Sequence, residues 1–224
     1  MNDSVLNKAT NFLWQMFCLN CIFIASNIVL IIALLFVVFH WITLPLYLIA
    51  LLFLIISLQA MLLTLKRIGS SDEVAVVRQY IWAYYETIKD LHIYALAYLG
   101  LAVTLGIGYI NIRFIRTNQA LFTSTYIILF ILLYVHFVFG TLIQVHFVVN
   151  MKDTFKLGLY CIFKYPLYSL FIFIATVMVG WTVRIIPALL FLGIIPLLGY
   201  NITKITRKIL EDLQLTLIDT KQEF

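Results

Sequence analysis

The feature that most constrains this chain is a series of long, uninterrupted apolar runs. The first extends from Phe12 to Phe39. In hydrocarbon every backbone amide must be paired inside the protein, so only helices and closed barrels cross a membrane. Barrel strands alternate apolar and polar residues, whereas these runs are continuous. We therefore predict an all-α protein, a polytopic transmembrane helical bundle.

Composition agrees with this prediction. Of the 224 residues, 64% are hydrophobic and 11% are charged, whereas an average soluble domain has about 25% charged residues. The first apolar run is too long for the central part of a signal peptide and has no convincing cleavage site after it, so we interpret it as a membrane span.

Six stretches approach the length of about 20 apolar residues that a membrane crossing needs. They lie at 16 to 39, 45 to 65, 91 to 110, 124 to 149, 166 to 183 and 186 to 202. The last two are separated only around Arg184, so a five-span alternative joins them. That alternative would export Lys204 and Lys208, which the charge balance disfavours.

The distribution of basic residues predicts the orientation. Cytoplasmic loops are enriched in Lys and Arg. With the N-terminus in the cytoplasm, only Arg113, Arg116 and Arg184 lie outside. The cytoplasmic basic residues are then Lys8, Lys66, Arg67, Arg78, Lys89, Lys152, Lys156, Lys164, Lys204, Arg207, Lys208 and Lys221. Both termini are predicted to be cytoplasmic. The net charge of +5 is assigned to anionic headgroups of the bilayer and not to nucleic acid.

The predicted organisation is a single membrane domain of three outward hairpins, at about 3–67, 71–150 and 151–204, followed by a cytoplasmic helix or tail at 205–224. A cytoplasmic, amphipathic interfacial helix precedes each hairpin. The clearest follows a capping box at Ser70 to Glu73 and places Val77, Ile81 and Ile88 at helical spacing. This recurring order of an interfacial helix and a hairpin fits either a true internal repeat or a simple succession of hairpins.

The fourth span has the most polar face. At 100° per residue, its polar and small residues share about half of the helix circumference. These residues are His136, Gly140, Gln144, His146 and Asn150. Asn20 and Asn27 form a second polar pair, seven residues apart in the first span. Two interpretations remain open for both sets: one wall of a substrate-binding cavity, or hydrogen bonds between packed helices.

A second candidate surface is cytoplasmic. Arg78, Gln79, Glu86 and Lys89 lie on the polar side of the interfacial helix before the third span, and Lys152 and Lys156 precede the fifth. These residues form a candidate docking face for a partner protein, with simple membrane anchoring as the alternative.

The sequence predicts no catalytic, cofactor or metal site. The predicted spans contain no Asp or Glu, which proton relays and cation-coupled sites normally use. Gly-x-Ser-x-Gly, His-Glu-x-x-His and P-loop motifs are absent. Cys18 and Cys21 have Cys-x-x-Cys spacing but no second ligand pair. Pro196, in the middle of the sixth predicted span, is expected to kink that helix.

The layout resembles the YesL-like family of bacterial integral membrane proteins, which carry a domain of unknown function. The matching features are Leu19-Asn20, the exit of the second span at Lys66-Arg67, the aromatic segment ending near Lys89, the stretch from Phe155 to Lys164, and the closing hairpin from Pro187 to Lys204. The resemblance implies a bacterial plasma-membrane protein with no established activity, often encoded near carbohydrate-uptake or glycan-degrading systems.

Two functional hypotheses follow. The first is a non-enzymatic accessory protein linked to carbohydrate uptake or metabolism, which binds a membrane transport complex. The second is a small-molecule carrier or substrate-binding transporter subunit. In length and span count the chain resembles the vitamin-capturing components of energy-coupling transporters, although it lacks their Ala-x-x-x-Ala motif in the first span.

Overall fold

The computed structural model describes residues 2–38, 40, 42–68, 76–112, 119–147, 149–186, 189 and 192–222. In these residues the protein is all-α. Its helices are α1 (Asn2–Ser26), α2 (Ile28–Phe36), α3 (Leu44–Ile68), α4 (Val76–Ile112), α5 (Gln119–His146), α6 (Met151–Lys164), α7 (Pro166–Ile185) and α8 (Ile194–Gln222).

Within the part of the chain that the structure describes, four helical segments are long and apolar enough to cross a membrane. They are Ala9–Ser26, Leu44–Ile68, Ala120–His146 and Pro166–Ile185. A shorter apolar stretch, Leu96–Ile110, lies inside α4. The prediction of a transmembrane helical protein is therefore confirmed in this coarser form, whereas the six predicted spans are not all reproduced.

The first predicted span differs from the structure because it is broken at Asn27. The Ser26 hydroxyl donates to the Ile22 and Phe23 oxygens at 2.9 and 3.0 Å, and the Asn27 amide donates to the Phe23 oxygen at 2.7 Å. Side chains that bond backbone carbonyls in this way compete with the regular helical ladder. α1 ends here, and α2 continues to Phe36.

The three predicted interfacial helices are not all reproduced as elements of their own. Only the third is an element of its own, α6, because Tyr165 precedes Pro166 and the residue before a proline is pushed out of the helical region. The first amphipathic segment is continuous with the first span in α1, and the second is continuous with Leu96–Ile110 in α4. The capping box at Ser70 to Glu73 lies outside the described residues.

The start of the last helix corrects two expectations. Gly193 has a φ of +91°, a conformation that favours glycine, and its carbonyl accepts the Leu197 amide at 3.1 Å. α8 therefore begins at Ile194 instead of residue 186, and Pro187 lies outside the described residues. Pro196 lies in the first turn of α8, where a backbone amide has no earlier carbonyl of the helix to bond, so the proline removes no helical hydrogen bond. The expected kink in the middle of the span was therefore wrong.

The chain forms two compact units, whose boundaries fall within α4, α7 and α8. The first contains Met1–Ala95 and Thr176–Asn201, and the second contains Leu96–Ala175 and Ile202–Phe224. These boundaries differ from those of the predicted hairpins. The core of the first unit joins α1, α3 and α4 through Met16, Leu19, Phe23, Ala60, Met61, Leu65, Val76, Tyr80 and Ala83.

Candidate functional site

His136, on the predicted polar face of α5, is buried and hydrogen-bonded through both ring nitrogens. Its Nε2 lies 3.0 Å from the Phe155 backbone oxygen of α6, and its Nδ1 is bonded to the Tyr98 hydroxyl of α4. Because a carbonyl oxygen only accepts, Nε2 carries the proton and the Tyr98 hydroxyl donates to Nδ1. The hydrogen bonds thus assign the tautomer and hold the plane of the ring.

Aromatic rings pack closely around this histidine. Tyr98 stacks on Phe155 with ring centroids 5.3 Å apart, and Phe155 lies 5.0 Å from the His136 ring. Phe137 meets Tyr98 edge-on at 5.2 Å. On the α6 side, a Cβ added to Gly158 would lie only 2.8 Å from Nε2. We call these five residues the His136 cluster, and its close contacts are those of a packed core.

The next residues along the polar face also meet α6. Gly140 is buried. The Gln144 amide nitrogen lies 3.5 Å from the hydroxyl oxygen of Thr154, a long contact. Thr154 in turn donates to the Asn150 backbone oxygen at 3.1 Å. From His136 to Gln144, the polar face is therefore a surface on which α6 packs.

His146 and Asn150 are not brought into the His136 cluster. The His146 Nδ1–H donates to the Leu142 oxygen, 2.9 Å away in its own helix. Asn150 is exposed and precedes α6 in an extended conformation, without a side-chain capping bond. Of the two interpretations of this face, the contacts of His136 and Gln144 favour helix packing.

The two asparagines of the first predicted span are buried, at 0% exposure for Asn20 and 4% for Asn27. The Asn27 amide nitrogen donates to the Phe23 oxygen of α1 at 2.7 Å. Its role in the described structure is to end α1. Asn20 lies among the buried residues of the same helix.

The candidate docking face divides between the two units. In the first unit, Arg78, Glu86 and Lys89 are exposed on α4, Gln79 is half-buried, and Glu86 pairs with Arg67 of α3 at 2.6 Å. Lys152 and Lys156 are exposed on α6 in the second unit. The docking residues on α4 and those on α6 therefore form two surfaces, one in each unit.

The exposed side of α4 carries an aromatic and basic stripe. Arg78, Trp82, Tyr85 and Lys89 follow one another at intervals of four, three and four residues, so they lie on one side of the helix. Trp82 is 60% exposed and Tyr85 is 66% exposed. We call these four residues the α4 stripe. Neither Trp82 nor Tyr85 was among the residues of the docking face predicted from the sequence.

The opposite side of α4 is bound into the first unit. Val76, Tyr80, Ala83 and Thr87 are all buried. The Tyr80 and Ser26 hydroxyls lie 2.8 Å apart, which links α4 to the end of α1. Sequence reasoning missed this bond because the two residues are far apart in the chain and neither belongs to a motif. It fixes which side of α4 remains exposed.

A second contact missed by sequence reasoning centres on Asp212 of α8. Its Oδ2 accepts a hydrogen bond from the Lys164 ammonium at 2.7 Å and another from the Tyr165 hydroxyl. The Lys164 Nζ also lies 5.0 Å from the Tyr160 ring centroid. The bonds from Lys164 and Tyr165 hold the pKa of Asp212 below its ordinary value, and Asp212 raises the pKa of Lys164. We call these four residues the Asp212 clasp.

No known protein family, curated protein or solved structure matches the chain. The resemblance to the YesL-like family therefore remains a prediction from the sequence.

Proposed function

We propose that this chain is a non-enzymatic accessory protein of a bacterial plasma membrane, which binds a component of a carbohydrate-uptake system through the α4 stripe. The observation that carries the proposal is the exposure of Trp82 and Tyr85 between Arg78 and Lys89, on a helix whose opposite side is buried. Aromatic residues and arginine are the side chains that contribute most often to binding energy at protein interfaces.

The rigidity of α4 supports this assignment. Tyr80 bonds Ser26, and Glu86 pairs with Arg67, so both turns next to Trp82 are tied to neighbouring helices. A side chain presented by a fixed helix loses little conformational freedom when a partner binds. The charges on this side have both signs, as is suitable for recognition of a protein surface.

The link with carbohydrate uptake comes from the resemblance to the YesL-like family. The carrier hypothesis is less favoured because it needs the polar face of α5 to be open to a ligand. His136 instead uses both nitrogens within the second unit, and Gln144 meets Thr154. For a carrier, at least one of these groups would have to exchange its partner for substrate.

The proposal includes six crossings with both termini in the cytoplasm. It is supported by the four long apolar segments, by Leu96–Ile110 and by the apolar start of α8. In this arrangement the α4 stripe lies at the cytoplasmic surface and Leu96–Ile110 crosses the membrane.

The test is photo-crosslinking in bacterial cells that express the full chain. A photoreactive phenylalanine analogue replaces Trp82 in one variant and Trp181 of α7 in the other. The two tryptophans are matched controls because they are 60% and 63% exposed, and Trp181 lies in a candidate span. We expect an adduct with a membrane transport component from position 82 and none from position 181.

Removal of the flanking cations should weaken the same adduct. We expect the double variant Arg78→Ala, Lys89→Ala to reduce its yield by about tenfold, since a residue central to an interface contributes about 1 to 2 kcal/mol or more. Equal crosslinking from positions 82 and 181, or adducts with lipid alone at both, would contradict the proposal.

A further inference from the structure

The exposed side of α6 has a pattern unlike that of α4. Lys152, Lys156, Leu159 and Phe163 follow one another at intervals of four, three and four residues, which places them within about 60° around the helix. Both lysines are exposed, and Leu159 and Phe163 are 50% and 77% exposed. We call these four residues the α6 stripe. It changes from basic to apolar along the helix.

Packing on α5 fixes the direction in which this stripe points. Thr154, Gly158, Cys161 and Ile162, on the other side of α6, are all buried. Gly158 lies against the His136 ring, where a Cβ would meet Nε2 at 2.8 Å. α6 therefore cannot rotate to bury Phe163 without breaking the contacts of the His136 cluster.

The place of α6 in the chain brings this stripe next to the bilayer. Only Tyr165 separates α6 from α7, which begins at Pro166 and is a candidate span. At the start of α7, Leu167 and Leu170 are 79% and 54% exposed. Because its last residue is separated by one residue from a candidate membrane-crossing helix, α6 ends at the level of the headgroups.

The charge of the α6 stripe indicates which kind of molecule it binds at the level of the headgroups. Its two charged residues are both cations, and the exposed Asp153 lies beside the stripe, three residues before Lys156. The third lysine of α6, Lys164, is bonded to Asp212. Lysine ammonium groups reach phosphates from a helix in the interface, while leucine and phenylalanine enter the acyl boundary.

We propose that the α6 stripe binds anionic lipid headgroups, with Lys152 and Lys156 at the phosphates and with Leu159 and Phe163 in the acyl boundary. Each lysine adds attraction to an anionic surface that a zwitterionic surface does not provide. The site is independent of the α4 stripe and of its proposed protein partner, and it removes Lys152 and Lys156 from the docking face.

The test compares retention of phosphatidylglycerol and phosphatidylcholine by the full-length protein in mixed micelles, measured by native mass spectrometry. We expect the unmodified chain to retain phosphatidylglycerol preferentially. The variant Lys152→Gln, Lys156→Gln should lose this preference, by about fivefold for each lysine removed. High salt should have the same effect, because it screens the charges.

The matched control is Lys204→Gln, Lys208→Gln on α8. This pair is also exposed and four residues apart, but Glu211 follows it at the position that Leu159 has in the α6 stripe. We expect the control to keep its lipid preference, and the charge-conserving variant Lys152→Arg, Lys156→Arg to keep it as well. Equal loss in both glutamine pairs, or no preference in the unmodified chain, would overturn the proposal.

Discussion

At the scale of single residues, close contacts decide what the polar groups of this protein do. His136 has two ring nitrogens that water or a ligand would otherwise satisfy, and the Tyr98 hydroxyl and Phe155 carbonyl occupy both. A buried polar group without a partner destabilises a fold by about 1 to 3 kcal/mol. Neighbours such as Gly158, which let α5 and α6 approach, are therefore as important as the polar groups.

We predict that Gly158→Ala destabilises the protein by about 1 to 3 kcal/mol, the usual range for overpacking a core. The new Cβ would lie 2.8 Å from Nε2 and 3.0 Å from Cδ2 of His136, and two hydrogen bonds hold that ring. The measurement is the free energy of unfolding in mixed detergent micelles.

Gly100→Ala is the control for that variant. A Cβ at Gly100 would have no neighbour within 4 Å, and alanine is favoured over glycine in a helix by about 1 kcal/mol. We expect this control to be neutral or slightly stabilising. Similar effects of both substitutions would show that the ring of His136 is not confined as described.

At the scale of elements, side-chain contacts decide where helices end and which side they expose. The Asp212 clasp joins the end of α6 and Tyr165, the residue before α7, to α8. The clasp is partly exposed, with about half of the Asp212 side chain accessible (46%). Its contribution to stability is therefore modest.

We predict that Asp212→Asn lowers the Tm by a few degrees at most near pH 7. Because Lys164 and Tyr165 lower the pKa of Asp212, its stabilisation is present above the ordinary aspartate pKa and is lost as pH falls through the lowered value. The raised pKa of Lys164 has the opposite sign, so its contribution is lost only at strongly alkaline pH. The difference between the two proteins should disappear in acid.

The control for the clasp is Glu211→Gln, measured by thermal unfolding over the same pH range. Glu211 is on the same helix and pairs with Arg207, four residues away, at 2.9 Å. Such an exposed pair contributes about 0.3 to 0.5 kcal/mol. We expect Glu211→Gln to decrease the Tm less than Asp212→Asn does. A larger decrease for Glu211→Gln would show that the Asp212 clasp is not the stronger of the two interactions.

At the scale of the whole molecule, the main consequence is the topology in the bilayer. The proposed six crossings with cytoplasmic termini would place Ile42, in the first outward turn, and Lys208, near the C-terminus, on opposite sides of the membrane. Both residues are exposed. Their accessibility therefore tests the orientation derived from the basic residues.

We predict that a membrane-impermeant maleimide labels Ile42→Cys in intact cells and labels Lys208→Cys only after the membrane is opened. The variants are made after replacement of Cys18, Cys21 and Cys161, although Cys161 is buried and burial raises the pKa of its thiol to about 12. Labelling of both positions from the same side would contradict the orientation.

The amino-acid sequence by itself determined the helical, membrane-spanning class of this protein, because each long apolar run meets the length and backbone-pairing requirements of a bilayer locally. It also identified His136, Gln144 and the two asparagines as polar groups that need partners. The sequence could not identify the hydrogen-bond partners of these groups. Tyr98 and Phe155, for example, contact His136 only when three helices pack together.

The break at Asn27 and the start of α8 after Gly193 follow from local hydrogen bonds and backbone conformation that the apolar pattern does not reveal. Tertiary structure alone decided the exposed sides of α4 and α6, which depend on contacts between distant residues, such as Tyr80 with Ser26 or Gly158 with His136. The hydrophobicity of the sequence indicates how much apolar surface must be removed from contact with water. Which helix covers that surface, and which side remains for a partner or a lipid, is determined by packing between helices.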